Sequence, residues 1–203
     1  MFMTGPGLSE IELAFVDELL SLGILEKVEG HRLPLQNGVI SVFCSDCDRS
    51  PDVYEHLRTI TQTQCSHTRI HAIADNGGPL LIPKSSPANK PGRTRDVDLL
   101  ESIEFAMRQK HIQTIGLIGH APCSIALDRK IDLFRTFALT LCAKTRIKTD
   151  LKRYDPKVAC FYQIDFGERA PSPEKRLRTY FMNRTRFFDR FRTNSIYSSE
   201  RCR

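Results

Sequence analysis

The sequence predicts an α/β domain, a central and mostly parallel sheet of four to five strands flanked by helices. Two observations lead there. Short apolar, β-branched runs alternate along the chain with longer stretches of helical periodicity, which implies parallel pairing through right-handed crossovers. The chain has 203 residues, 40% of them apolar and 27% charged, within the range of one domain able to bury a core unaided.

The elements follow in order. Ser9 and Glu12 form a capping box, and Ile11, Phe15, Leu19 and Leu22 recur at helical spacing up to Gly23, predicting a helix of about four turns. Gly38 to Phe43 is a short β-branched run that reads as a buried strand and stops at Cys44. Ser50 and Pro51 open a helix whose inner stripe is Val53, Leu57 and Ile60. A second strand, Arg69 to Ala74, ends at Asn76-Gly77-Gly78. A Pro/Ser/Lys-rich surface loop from Pro83 to Arg95 leads to a helix capped by Asp96, with Leu99, Ile103 and Ala106 facing inward. A third strand, Thr114 to Ile118, runs into Gly119-His120, and Ile131, Phe134, Ala138 and Leu141 mark a long amphipathic helix. Val158 to Phe166 is the fourth strand. There is no internal repeat.

Residues 1–170 are expected to form one domain, with 1–37 as an N-terminal helical arm, and 171–203 a basic, aromatic extension. The formal charge of +6 resides in that extension, where nine Lys/Arg face three acids, so the other 170 residues are formally neutral. A high isoelectric point then describes an appendage and does not make the domain a nucleic-acid binder. Within the extension, Phe181, Phe187, Phe188 and Phe191 interleave with Arg184, Arg186, Arg190 and Arg192, in neither a helical nor a strand period. Charge with stacking could serve RNA, and the segment could equally dock on the domain, but packing against a second subunit is the expectation. The start of the chain lacks a basic stretch followed by an apolar one, and the seven cysteines are an odd number, so a reducing, cytoplasmic setting is expected. No run approaches the roughly 18 to 20 apolar residues of a spanning helix.

Two strand ends carry metal-type ligands, Cys44 on one, His120 and Cys123 on another. In an open α/β sheet, sites form beyond the carboxyl ends of the strands. His120 and Cys123, three apart at the start of a helix, would share one face, while Cys44 arrives from a neighbouring strand as a thiolate. Two thiolates and an imidazole select zinc and leave a fourth position for water, a substrate or one more side chain. Cys47 offers a rival, because Cys44-x-x-Cys47 with His120 and Cys123 would close a structural site of three cysteines and a histidine. A redox Cys-x-x-Cys pair would leave His120 and Cys123 unexplained. Cys65, Cys142 and Cys160 read as core thiols, and Cys202 lies on a loose end.

These residues resemble the β-carbonic anhydrases. Cys44-Ser45-Asp46 is similar to the opening of that family's Cys-x-Asp-x-Arg motif, Gly119-His120-Ala121-Pro122-Cys123 to its Gly-His-x-x-Cys motif, and Asp75-Asn76-Gly77-Gly78 to its Arg-Asn-Ala-Gly turn. The three motifs stand in the family's order, and the likeness spans residues 38–166. It implies a β-carbonic-anhydrase-like fold, zinc on Cys44, His120 and Cys123, and Asp46 either as the fourth ligand or swung aside to an arginine as gate and proton acceptor. It also implies that Asn76, Gly77 and Gly78 line the substrate pocket, and at least a homodimer, an expectation to which the amphipathic first helix adds. The activity implied is a zinc lyase interconverting carbon dioxide and bicarbonate, or acting on a related small heterocumulene. Two positions depart from the pattern: Asp48 stands where the family has its arginine, with Arg49 one place later as the candidate substitute, and Ser124 replaces a glycine. With Asp48 repelling a free Asp46 carboxylate, the alternative is a catalytically silent zinc module whose metal site Asp46 closes.

Overall fold

The computed structural model describes residues 7–29, 33–46, 49–64, 69–170, 172 and 176–192. Cys47, Asp48, Cys65 and Cys202 lie outside the described residues, so the rival ligand Cys47 and the departure at Asp48 have no structural account here.

The chain opens with helix α1 (Glu10–Ser21), started by the capping box the sequence predicts. The Ser9 N–H donates to Glu12 Oε2 at 2.8 Å, and the Glu12 N–H returns a bond to Ser9 Oγ at 3.3 Å. Then follow β1 (Leu25–Lys27), β2 (Val39–Cys44), α2 (Ser50–Gln62), β3 (Ile70–Asp75), α3 (Arg95–Lys110) and β4 (Thr114–Ala121). The rest is α4 (Ser124–Asp128), α5 (Leu133–Asp150), β5 (Lys157–Asp165), β6 (Leu177–Met182) and α6 (Arg184–Arg190).

The sheet has six strands in the order β1-β6-β5-β4-β2-β3. The four strands predicted from the sequence form its parallel part, β3-β2-β4-β5, and β6 and β1 add an antiparallel margin. The four-to-five-strand expectation was therefore short of the observed sheet. All six residues of β2 and all eight of β4 are buried, as central strands covered on both faces must be, and their sequences are accordingly near-continuous apolar runs. Edge strand β3 has no fully buried residue.

Two apolar layers cover the sheet. On one side α2 places Val53, Leu57 and Ile60 against Val39, Phe43, Ile118 and Phe161. On the other, α1, α3, α5 and α6 pack on Ile40, Val42, Ile115, Leu117 and Tyr162. Phe15 of α1 meets Phe134 and Phe137 of α5 edge-on at 5.7 and 6.0 Å, and Phe137 stacks on Tyr162 at 3.8 Å. The apolar face of α1 is thus covered by its own chain, which removes that helix as a ground for expecting a dimer. Residues 177–190 likewise belong to the sheet and its helical layer: Phe187 is fully buried and stacks on Phe134 at 5.5 Å. Among the described residues no helix is long and apolar enough to cross a membrane.

Candidate metal centre

Two neighbouring parallel strands inside the sheet, β2 and β4, deliver the site. Cys44 is the last residue of β2, and His120 lies near the end of the neighbouring β4. Cys123 is the N-cap of α4, so His120 and Cys123 are not on one helical face as their spacing predicted. His120 is still in the strand, and the chain turns at Ala121-Pro122, joined by a cis peptide, before Cys123. The turn achieves what the helix was expected to achieve. One ligand atom each from Cys44, His120 and Cys123 lies within 4.8 Å of the others, and all three residues are buried.

The Asn76-Gly77-Gly78 turn after β3 closes over Cys44. The Gly77 N–H donates to Cys44 Sγ at 3.2 Å, with Gly77 at φ 96°. Gly78, at φ 48°, runs so close to β2 that a Cβ there would fall 2.5 Å from the Phe43 carbonyl carbon and 2.6 Å from the Cys44 nitrogen. Only glycine tolerates both the conformation and the approach. Asn76 accepts a bond from Ser45 Oγ at 2.8 Å, tying the turn to the residue after Cys44.

The electrostatics are those of a site with a cation's place in it. The hydrogen bond from Cys123 does most to lower the Cys44 thiol, against the opposing effect of burial, with His120 and the Gly77 N–H adding to it; its pKa falls to about 4. Cys123 moves the other way, raised by its bond to the Cys44 thiolate and by burial. One proton therefore serves two sulfurs. His120 lies close enough to lower Cys44 further, yet neither Nδ1 nor Nε2 has a partner in hydrogen-bond geometry, although both are buried. An imidazole with both nitrogens unpartnered is costly in a protein interior. A soft dication replacing the shared proton would satisfy one nitrogen and both sulfurs, so the donor set fits zinc.

Asp46 and Arg49 stand apart from this convergence. Asp46 is half-buried just beyond β2, and its carbonyl accepts the Ser50 N–H at 2.9 Å and Ser50 Oγ at 2.8 Å, opening α2. Its carboxylate is not among the converging ligand atoms. Arg49 Nη2 donates to Asp165 Oδ2 at 2.6 Å. Asp165, the last residue of β5, also takes Arg176 Nε at 2.8 Å, Arg176 Nη2 at 3.1 Å and the Gly167 N–H at 2.8 Å. Sequence reading passed over Asp165 and Arg176. The rule that found Cys44 and His120, a polar residue at a carboxyl strand end, applies equally to Asp165. Of the three cysteines read as core thiols, Cys160 is buried and free, whereas Cys142 is buried and disulfide-bonded.

Comparison with known proteins adds little. No family model matches the chain, and no curated protein does. Among solved structures it is similar to the β-carbonic anhydrase CafD of the filamentous fungus Aspergillus fumigatus. Two single-substitution mutants match at a TM-score of 0.46 and the wild type at 0.39, each 14% identical over 78% of this chain and 98–99% of the other. Likeness at that level carries no argument about chemistry, which rests on the residues above.

Two hollows flank these elements. A groove of about 960 Å³ between β3 and α3, lined by His71, Glu101 and Phe105, shares no residue with the metal centre. A smaller pocket of about 270 Å³ lies beside that centre, with Asn76 and Ile125 in its wall. Ile125 is also the side chain that a Cβ on Gly77 would meet, at 3.2 Å.

Proposed function

We propose that the protein is a zinc lyase that hydrates carbon dioxide reversibly to bicarbonate, or acts on a related small heterocumulene. The observation that supports this is the buried convergence of Cys44, His120 and Cys123 with both imidazole nitrogens unpartnered. Cys44 and Cys123 as thiolates and His120 as a neutral imidazole would hold the ion, and the Gly77 N–H would orient the Cys44 sulfur. Zinc in a three-ligand site lowers the pKa of a water toward neutrality and makes it a nucleophile toward carbon dioxide. Asp46, two residues after Cys44, is the acceptor for the proton that must leave, at its carboxylate oxygens. Asn76, Gly77 and Gly78 form the wall on the substrate side. The resemblance stated above adds a homodimer, which sedimentation would test.

A second reading, a silent zinc module, has one observation in its favour: Arg49, the candidate partner for Asp46, is engaged with Asp165 at 2.6 Å. Stopped-flow hydration of carbon dioxide separates the two. The lyase reading expects zinc-dependent turnover that Asp46→Asn lowers at least tenfold with zinc content unchanged. Zinc-loaded protein with no turnover above buffer supports the silent module instead.

A further inference from the structure

Carbon dioxide is uncharged, yet the pocket beside the metal centre is lined by four cations, Lys90, Arg93, Arg95 and Arg129, and by no acid. The arrangement begins in the local sequence. Lys90-Pro91-Gly92-Arg93 has proline at the second position of a β-turn and glycine at the third, with Gly92 at φ 75° and the Arg93 N–H bonded to the Lys90 carbonyl at 3.1 Å. Such a turn sets its first and fourth residues side by side, so two like charges are held together at the pocket's rim. Like charges at that spacing repel unless something answers them.

Arg95 is answered by Asp75, through an ion pair at the end of β3. Arg129 Nε lies 3.3 Å from the Asp128 carboxylate, but it is buried without a partner in hydrogen-bond geometry. Asn89 in the same wall gives its Nδ2 to the Leu81 carbonyl at 2.8 Å, while its Oδ1 is buried and unpartnered. Lys90 and Arg93 have no ion pair at all among the described residues. A volume of about 270 Å³ holds roughly nine waters. That suits a small anion and its hydration and is too small for a polymer.

We propose that this pocket is a binding site for a small oxyanion of the carboxylate or phosphate type, held by Lys90 and Arg93 at the rim and by Arg129 deeper in the wall. Guanidinium forks match such anions in two parallel bonds, and a lysine adds a point charge. A ligand oxygen that carries a proton would also meet Asn89 Oδ1. That the site serves the chemistry next door rests on the metal reading above, whereas anion binding itself does not.

The test is calorimetric titration of the full chain, zinc content measured on every sample, with sodium phosphate in one arm and sodium acetate in the other at constant ionic strength. One anion should bind with about one site per chain, and which one does assigns the phosphate or the carboxylate type. The double variant Lys90→Ala/Arg93→Ala should weaken binding at least tenfold with zinc unchanged. Arg93→Lys keeps the charge but loses the fork, so it should bind the anion more weakly than wild type and more tightly than the double variant, which separates lost charge from lost folding. The control Arg190→Ala/Arg192→Ala removes the same charge elsewhere and should leave binding within twofold. Absence of binding in both arms, an unchanged double variant, or an equal loss in the control overturns the proposal. Loss of zinc with anion binding intact would overturn the metal reading alone.

Discussion

Two buried polar clusters sit at the same end of the sheet and differ in how completely they are satisfied. At the end of β5, Asp165 has 4% of its side chain exposed and receives four donors, three from Arg49 and Arg176 and one from the Gly167 N–H. At the ends of β2 and β4, His120 is equally buried, yet neither of its nitrogens has a partner in hydrogen-bond geometry, and the Cys44 and Cys123 sulfurs share one proton. A saturated cluster holds chain segments together, here the start of α2 and the approach to β6 on the end of β5. An unsaturated one is destabilising until a ligand arrives. The first should therefore respond to mutation in stability and the second in metal affinity.

The largest effect is expected at the unsaturated cluster. Structural zinc sites bind with about 10–16 kcal/mol, and removing one ligand of three should forfeit about a third of that. His120→Ala or Cys123→Ser should weaken zinc about a thousandfold in competition with a chromophoric chelator, while metal-free stability falls little. Unchanged affinity in either variant would break the assignment. Asp165→Ala should do the reverse, costing about 3 kcal/mol in chemical denaturation, because it strands Arg49 in a largely buried position.

The same residue gives a pH signature. Burial alone would raise the Asp165 carboxyl, but the bonds from Arg176, the Gly167 N–H and Arg49 together hold it below its usual value. A depressed folded pKa means stability that is present above the unfolded pKa, about 3.9, and is lost as pH falls through the folded value. Wild type should lose stability below about pH 4, and Asp165→Asn should show a shallower loss there. An identical acid limb in both would show that the carboxylate is not what the arginines hold.

Gly78→Ala falls between the two clusters, because it disturbs the chain that carries Cys44. The contacts of 2.5 and 2.6 Å are with backbone atoms that cannot swing aside. A loss of about 1–3 kcal/mol together with weaker zinc binding is expected, and a neutral result would show that the turn is loose. The smallest effect belongs to the exposed pair Arg190–Glu18, at 2.8 Å with side chains 53% and 40% exposed. Arg190→Ala should change stability by no more than about 0.5 kcal/mol.

The parallel core was legible because central strands buried on both faces leave unbroken apolar runs, and β2, β4 and β5 have them. The ligands were legible because Cys44 and His120 stand at strand ends and Cys123 follows His120 by three residues. The C-terminal segment was not, for a physical reason. Phe181 lies in a strand, while Phe187, Phe188 and Phe191 belong to α6 and its C-cap, so the run changes period at Asn183 and fits neither template throughout. Strand β1, at three residues, and α4, at five, are too short to show a period. The turn between His120 and Cys123 was taken for a helix, since a spacing of three suits either. The Asp165 cluster depends on Arg49 and Arg176, which lie 127 residues apart in the chain, and pairing over that distance leaves no local pattern.

The central claim is that zinc is held by two sulfurs and one imidazole and retains a fourth position for a small ligand. X-ray absorption at the zinc edge of the purified protein tests it most directly. The account predicts two sulfurs at about 2.3 Å, one imidazole nitrogen at about 2.0–2.1 Å and one further light atom, with Asp46→Ala leaving the total at four. Three sulfurs in the first shell, or a shell that drops to three ligands in Asp46→Ala, would contradict it.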